Sequence, residues 1–136
     1  MTMRRVLGTA LLGLALAGGA SVPAHAAPAT AAAPSKCATL YTADGSGRIS
    51  ICWTWTKHAQ GGGYYGSYSG NYYDSKRDGK NLVLQAHANE LPWVAVAAAQ
   101  DGANGQAFAE DYTHLSGLTF RACLNSGTSS CGSAPS

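Results

Sequence analysis

The sequence predicts an all-β fold, a small antiparallel β-sandwich or barrel of about seven strands held by disulfide bonds. Three observations carry this prediction. Apolar and polar residues alternate along several short segments, as they do in strands that bury one face. Glycine-containing turns separate those segments. The chain of 136 residues has four cysteines, and an even number favours disulfides over free thiols.

Residues 1–26 form the first predicted element, a secretory signal peptide. Arg4 and Arg5 precede the apolar run Val6–Ala17, and Ala24–Ala26 supplies an A-x-A cleavage site. The apolar run is shorter than the roughly 20 residues that a membrane-spanning helix needs. We therefore expect cleavage after this segment, secretion into the extracellular space, and no membrane attachment of the mature protein.

The mature chain is predicted to contain a flexible leader over 27–36, rich in Ala, Pro, Thr and Ser, and a single β domain over 37–136. Loss of Arg4 and Arg5 leaves seven basic and seven acidic residues, so the mature chain has no formal net charge. A surface without net positive charge lacks the basic patch that attracts nucleic acids. We expect a monomer without a nucleic-acid partner.

The cysteines Cys37, Cys52, Cys123 and Cys131 are predicted to form two disulfides, as is typical of exported proteins. No C-x-x-C pair suggests zinc or redox chemistry. Sequence alone leaves more than one pairing open. We favour Cys37 with Cys52 and Cys123 with Cys131, because each local pair would tie a terminal segment to a strand beside it.

Three segments alternate most regularly, and each predicts a strand with one buried face. They are 48–57, 81–89 and 117–124. In the second segment the leucines and alanines point inward, whereas Gln85, His87 and Asn89 point outward. Weaker strand candidates are 38–43, 64–73, 93–99 and 106–112.

The segment Gly61–Asp74 holds five of the seven tyrosines, interleaved with glycine. In a strand, alternate tyrosines point to opposite faces. Glycine between them leaves ring faces open to a ligand, yet it is equally typical of a strand crowded by its neighbours. We take one face, with the outward strip of 81–89, as the candidate contact surface. The predicted ligand-binding residues are Tyr64, Tyr68, Tyr72, Gln85, His87 and Asn89.

Two short patterns resemble cofactor sites, and each lacks a feature that such a site requires. Gly61–Gly66 matches G-x-G-x-x-G, but the Tyr/Ser/Gly-rich sequence after it is a poor start for the helix that a dinucleotide site requires. Asp74–Gly79 resembles half of a calcium loop, with Lys76 and Gln85 at two ligand positions. We expect turns in both places, no metal and no cofactor.

No residue is predicted to be catalytic. The motifs G-x-S-x-G and H-E-x-x-H and the cysteine-nucleophile arrangements are absent. Glu90 and Glu110 could serve a glycosidase, but nothing distinguishes this pair among the seven acids. We expect a non-enzymatic module that binds an extracellular carbohydrate, cell-wall or protein surface. The alternatives are a protein inhibitor acting through the loop 57–63 and a small extracellular hydrolase.

The pattern G-x-x-x-D-x-x-x-D-G-[KR] spans Gly70–Lys80, and Arg121–Cys123 is followed by Cys131. Together with the signal peptide, this layout resembles small secreted actinobacterial proteins with four cysteines. The resemblance covers the mature chain and implies a β-rich secreted fold with a local closure between Cys123 and Cys131. It implies no activity.

Overall fold

The computed structural model describes residues 26–125 and 128–135, and all but the last residue of the predicted signal peptide lies outside them. The strands belong to one compact unit, Ala31–Ser136. In the other unit, Met1–Thr30, the described residues 26–30 form no strand or helix. Within the described ranges there is no helix long and apolar enough to cross a membrane.

Each segment predicted as a strand contains one, and the described chain has eight strands because 48–57 is interrupted at Trp55. The first strand begins at Ser35, slightly before the predicted domain boundary. The elements are β1 (Ser35–Tyr41), β2 (Gly47–Thr54), β3 (Thr56–Lys57), β4 (Tyr64–Asp74), β5 (Leu82–Ala88), β6 (Leu91–Ala98), β7 (Asn104–Leu115), β8 (Thr119–Leu124) and a short 3-10 turn (Thr128–Ser130).

Two antiparallel sheets pack against each other, which confirms the predicted fold class. Sheet A has the order β1-β2-β4-β7, and β3 continues the pairing of β2 along β4. Sheet B has the order β6-β5-β8. The layers meet through aromatic side chains: the Phe120 ring of β8 lies 5.3 Å from Trp53 in β2 and 5.0 Å from Tyr68 in β4. The apolar positions of the alternating segments therefore form one core.

Both disulfides have the pairing that we favour. Cys37 and Cys52 are directly opposite each other in β1 and β2, and Cys123 in β8 is bonded to Cys131. The second bond anchors the C-terminal segment along the free edge of β8, where Gly132 N donates to Ala122 O at 2.9 Å. That segment thereby covers an edge that would otherwise expose unpaired backbone groups.

Glycine alternates with tyrosine in β4 because neighbouring strands occupy the space where a side chain would be. A Cβ at Gly70 would overlap the carbonyl oxygen of Ser50 and lie 2.9 Å from the ring of Phe108. At Gly66 the Cβ would overlap the carbonyl oxygen of Thr54. Phe108 is the cross-strand partner of Gly70 in β7, so its ring covers the bare backbone. These glycines are required by packing.

Candidate functional site

The three tyrosines predicted to bind a ligand lie on the inner face of β4, and two of them belong to the core. Tyr68 is 7% exposed and Tyr72 is 1% exposed, whereas Tyr64 is half-buried. Burial beneath sheet B raises the pKa of the Tyr68 and Tyr72 phenols. The expectation that this face meets a ligand is therefore corrected for Tyr68 and Tyr72, because rings packed around Phe108 and Phe120 cannot reach one.

The predicted strip on β5 is also less open than expected. Gln85 lies on the outer face of sheet B, as the alternation predicts, but it is only 4% exposed. Arg121 from β8 hydrogen-bonds Gln85 and stacks on Trp93 from β6, so side chains of both flanking strands cover this position. His87 is half-buried and Asn89 is exposed. Because this strip lies on sheet B, the structure does not bring it together with the tyrosines of sheet A.

The solvent-facing side of β4 is the face opposite to that of Tyr68 and Tyr72. It carries Tyr65 and Tyr73 at its ends. Successive residues of a strand point to opposite faces, so the residues next to the predicted binding residues in β4 are the ones that face solvent. Sheet B covers only the inner face of sheet A, so the outer face remains open. We call this open face of sheet A, between Tyr65 and Tyr73, the outer trough.

Strand register arranges the outer trough in rows across β1, β2, β4 and β7. An aromatic row closes each end: Tyr41, Arg48 and Tyr73 at one, and Tyr65 with Thr56 at the other. Only short side chains and one aspartate form the rows between them. The middle rows are Thr39, Ser50, Asn71 and Ala107; Cys37, Cys52, Ser69 and Ala109; and Ser35, Thr54, Ser67 and Asp111.

The outer trough is hollow because no long side chain rises from its middle rows. Adjoining depressions of about 650, 320 and 540 Å³ follow one another along it. Ser69 lines both the first and the second depression, and Ser67 and Asp111 line both the second and the third. The disulfide between Cys37 and Cys52 forms part of the floor. A long, shallow concavity results, rather than one deep pocket.

The floor of the outer trough offers polar groups that the protein itself leaves available. Among the described residues, the hydroxyls of Thr39, Ser50 and Ser69 have no hydrogen-bond partner. Asn71 uses only its Nδ2 group, which donates to Gly105 O at 3.1 Å, so its carbonyl oxygen remains an acceptor. Asp111 supplies the one charge of the middle rows.

Contacts between aromatic rings support the Tyr65 end of the outer trough. Tyr65 is 44% exposed, and its ring centroid lies 4.9 Å from that of His58. His58 in turn stacks on His114 at 4.4 Å, and the Thr113 hydroxyl lies 2.9 Å from His58 Nε2 and 3.0 Å from His114 Nδ1. Gly63 packs against the backbone of His114, where its missing Cβ leaves the necessary room. The Tyr65 ring is therefore held in position by the side chains packed beside it, while part of it stays exposed.

A second cavity, of about 270 Å³, lies at one end of the sandwich and has aromatic walls. The half-buried Tyr64 belongs to it, as do Trp55 and Tyr112, which the sequence reasoning missed. Tyr112 donates its hydroxyl to Thr54 O at 2.7 Å, and burial raises the pKa of its phenol. A sequence signal for Tyr112 does exist. Phe108 and Tyr112 are four residues apart, as are Gly66 and Gly70, and in the β4–β7 pair each of these aromatic residues lies opposite one of the glycines.

Two of the acidic residues considered for catalysis and calcium binding, Glu90 and Asp74, are engaged in hydrogen bonds with loop backbone, whereas Glu110 is exposed. Glu90 in the β5–β6 turn accepts a hydrogen bond from Ser116 N at 2.7 Å, which lowers the pKa of its carboxyl, whereas Glu110 lies opposite Tyr68 in β7. Asp74 accepts backbone N–H groups of two loops. In residues 26–125 and 128–135, no group of three or more His, Cys, Asp and Glu side chains is placed to hold a metal ion.

Comparison of the chain with protein-family models, with curated proteins and with solved structures finds no match. The outer trough is the largest concave surface described above, and it combines available hydroxyls with exposed aromatic rings.

Proposed function

We propose that this protein is a secreted, non-catalytic module that binds an extracellular carbohydrate along the outer trough. The observation that carries the proposal is a floor of short hydroxyl, amide and methyl side chains enclosed between aromatic rows. Sugars present hydroxyl edges, which such a floor can hydrogen-bond, and apolar faces, which can stack on the exposed rings of Tyr65 and Tyr41, one in each end row. The neighbouring Tyr73 ring is already covered by Arg48, whose guanidinium carbon lies 4.4 Å from its centroid. Neither kind of sugar contact requires charge, in keeping with the formally neutral mature chain.

The length of the outer trough favours an extended chain of sugars over a single one. Tyr65 and Tyr73 are eight positions apart in β4, which corresponds to about 26 Å along a strand. A ligand of that length makes many weak contacts with a shallow surface, and the aromatic rings at both ends supply most of the apolar contact. A linear neutral oligosaccharide fits these requirements.

Secretion is the second part of the proposal. The predicted signal peptide and the paired cysteines support it, because disulfides persist in oxidising compartments. Two disulfides also compensate for the small core of a domain of this size.

A binding role is favoured over glycoside hydrolysis by the content of the trough itself. Hydrolysis by the usual mechanism requires two carboxyl groups facing the sugar. Asp111 is the one carboxylate in the middle rows of the described surface. Glu110 also borders the depression of about 320 Å³, but it is the next residue in β7 and lies opposite Tyr68, so strand alternation assigns it to the other face. The inhibitor alternative is weakened by Gly61, Gly62 and Gly63, which occupy positive φ and give the loop 57–63 no side chain to insert into a partner at those positions.

The proposal is tested by measuring retention of the purified protein on insoluble neutral polysaccharides and on arrays of linear neutral oligosaccharides. We expect retention of the wild type, loss with Tyr65→Ala, and loss with Ser69→Trp, which fills the floor. Ala95→Trp, on the exposed outer side of sheet B, is the matched control and should bind as the wild type does. Absence of retention on every neutral glycan, or full retention of both trough variants, would contradict the proposal.

A further inference from the structure

Arg121 in β8 is held rigidly on the outer face of sheet B. Its Nε and Nη2 groups donate to Gln85 Oε1 at 2.9 and 2.8 Å. Its guanidinium carbon lies 4.1 Å from the ring centroid of Trp93. Because the ring and the amide together fix this long side chain, little of its conformational freedom remains to be lost when it contacts a further group.

Only one edge of the Arg121 guanidinium is occupied. The Nε–H and one Nη2–H form the side edge, and both point to the single oxygen of Gln85. The end edge consists of one N–H from Nη1 and the second N–H from Nη2. Among the described residues these groups have no acceptor. Two parallel N–H groups of this kind match the two oxygens of a carboxylate.

The positive charge of Arg121 is also not neutralised within the protein. Across the described residues, the ion pair found is between Lys76 and Asp44, and Arg121 takes part in none. Gln85 accepts hydrogen bonds but brings no negative charge. His87 contacts the same Trp93 ring at 5.2 Å between centroids and places a second polar ring beside it. The cluster therefore presents a rigid, uncompensated cation beside an aromatic ring.

We propose that Gln85, His87, Trp93 and Arg121, here called the Arg121 platform, bind a carboxylate side chain of an acidic peptide segment in a partner protein. The carboxylate accepts the two N–H groups of the end edge, and charge complementarity favours it over a neutral amide. Trp and Arg are the residue types that most often dominate binding energy at protein interfaces. The platform lies on sheet B and is independent of the outer trough on sheet A.

The test uses two fluorescently labelled peptides, polyglutamate and polyglutamine of equal length, with binding to the full mature protein followed by anisotropy at low ionic strength. We expect polyglutamate to bind and polyglutamine not to bind. Arg121→Lys should weaken polyglutamate binding about tenfold, because lysine keeps the charge but has no planar pair of N–H groups. Arg77→Lys, in the exposed β4–β5 loop, is the control and should bind as the wild type does.

A second measurement needs no variant and so does not depend on the stability of Arg121→Lys. In the 15N-labelled wild type, the Nε–H signal of Arg121 should shift on addition of polyglutamate but not of polyglutamine, while those of Arg48 and Arg77 stay in place. Equal affinity for the two peptides, no binding of polyglutamate, wild-type affinity of Arg121→Lys, or common movement of all arginine signals would each overturn the proposal.

Discussion

The two faces of β4 have similar residues and opposite roles. Both carry tyrosine, yet on the inner face Tyr68 and Tyr72 are buried under sheet B, while on the outer face Tyr65 stays exposed beside short polar side chains. Composition does not cause this difference. It arises because a second sheet covers one face, and the same residue type then contributes to stability on that side and to recognition on the other.

The largest expected effect is at Gly70, which lies on the inner face. Gly70→Ala should destabilise the protein by about 4 kcal/mol, because its Cβ would overlap a backbone oxygen of β2 and press on the Phe108 ring. Such a neighbour cannot move aside as a flexible side chain would. The measurement is the free energy of unfolding in urea, taken from denaturant midpoints and slopes.

Two controls separate packing at Gly70 from other effects of the substitution. Ser69→Ala, one residue away on the outer face, should change the unfolding free energy by less than about 0.5 kcal/mol. Gly79→Ala has open space around its Cβ but positive φ, so it should cost about 1 kcal/mol through backbone strain alone. A Gly70→Ala protein as stable as Gly79→Ala would mean that the close approach of β2 and β4 is not required.

The comparison of the two faces also separates what the sequence can predict from what it cannot. Alternation located the strands in 48–57, 81–89 and 117–124, because its period of two follows directly from strand geometry. The four weaker candidates were found between glycine-containing turns. Alternation could not choose the inner face of β4, since tyrosines occur on both faces. It could not anticipate that Gln85 is covered, because Trp93 and Arg121 come from flanking strands whose pairing is non-local. The outer trough likewise depends on register across separate strands, which short-range patterns do not contain.

The next largest effect concerns the disulfide in the floor of the outer trough. Replacing Cys37 and Cys52 together by serine should lower the unfolding free energy by about 3 kcal/mol, since the bond closes a loop in the unfolded chain. The sequence separation is 15 residues for this bond and 8 for Cys123–Cys131. The corresponding Cys123/Cys131 double variant should lose about 2.5 kcal/mol from loop entropy alone.

Differences in thermal and urea unfolding between these double variants test whether loop closure explains the stabilisation. A Cys123/Cys131 variant that loses far more than the Cys37/Cys52 variant would show that anchoring the C-terminal segment along β8 matters more than loop length. The Cys37/Cys52 variant also tests the trough. Because the backbone register of β1 and β2 does not depend on sulphur alone, a folded variant should keep its glycan retention.

The smallest effect has the opposite sign and concerns a single hydroxyl on the inner face. Among the described residues, the buried Tyr72 hydroxyl has no hydrogen-bond partner, and an unsatisfied buried donor costs about 1 to 3 kcal/mol. Tyr72→Phe removes that group and keeps the ring, so it should stabilise the protein by about 1 kcal/mol. Tyr112→Phe should destabilise it by about 1 kcal/mol, because the hydroxyl there donates to Thr54 O at 2.7 Å.

The pH dependence of unfolding distinguishes this explanation from improved packing. Burial, followed by the nearby Tyr68 and Glu110, raises the pKa of Tyr72 in the folded protein. The native state therefore holds this proton after the unfolded chain releases it, and stability should fall as the pH rises above about 10, the ordinary tyrosine value. Tyr72→Phe removes that contribution, so its advantage over the wild type should grow with alkaline pH. An advantage independent of pH would mean that the phenol is not desolvated as its burial indicates.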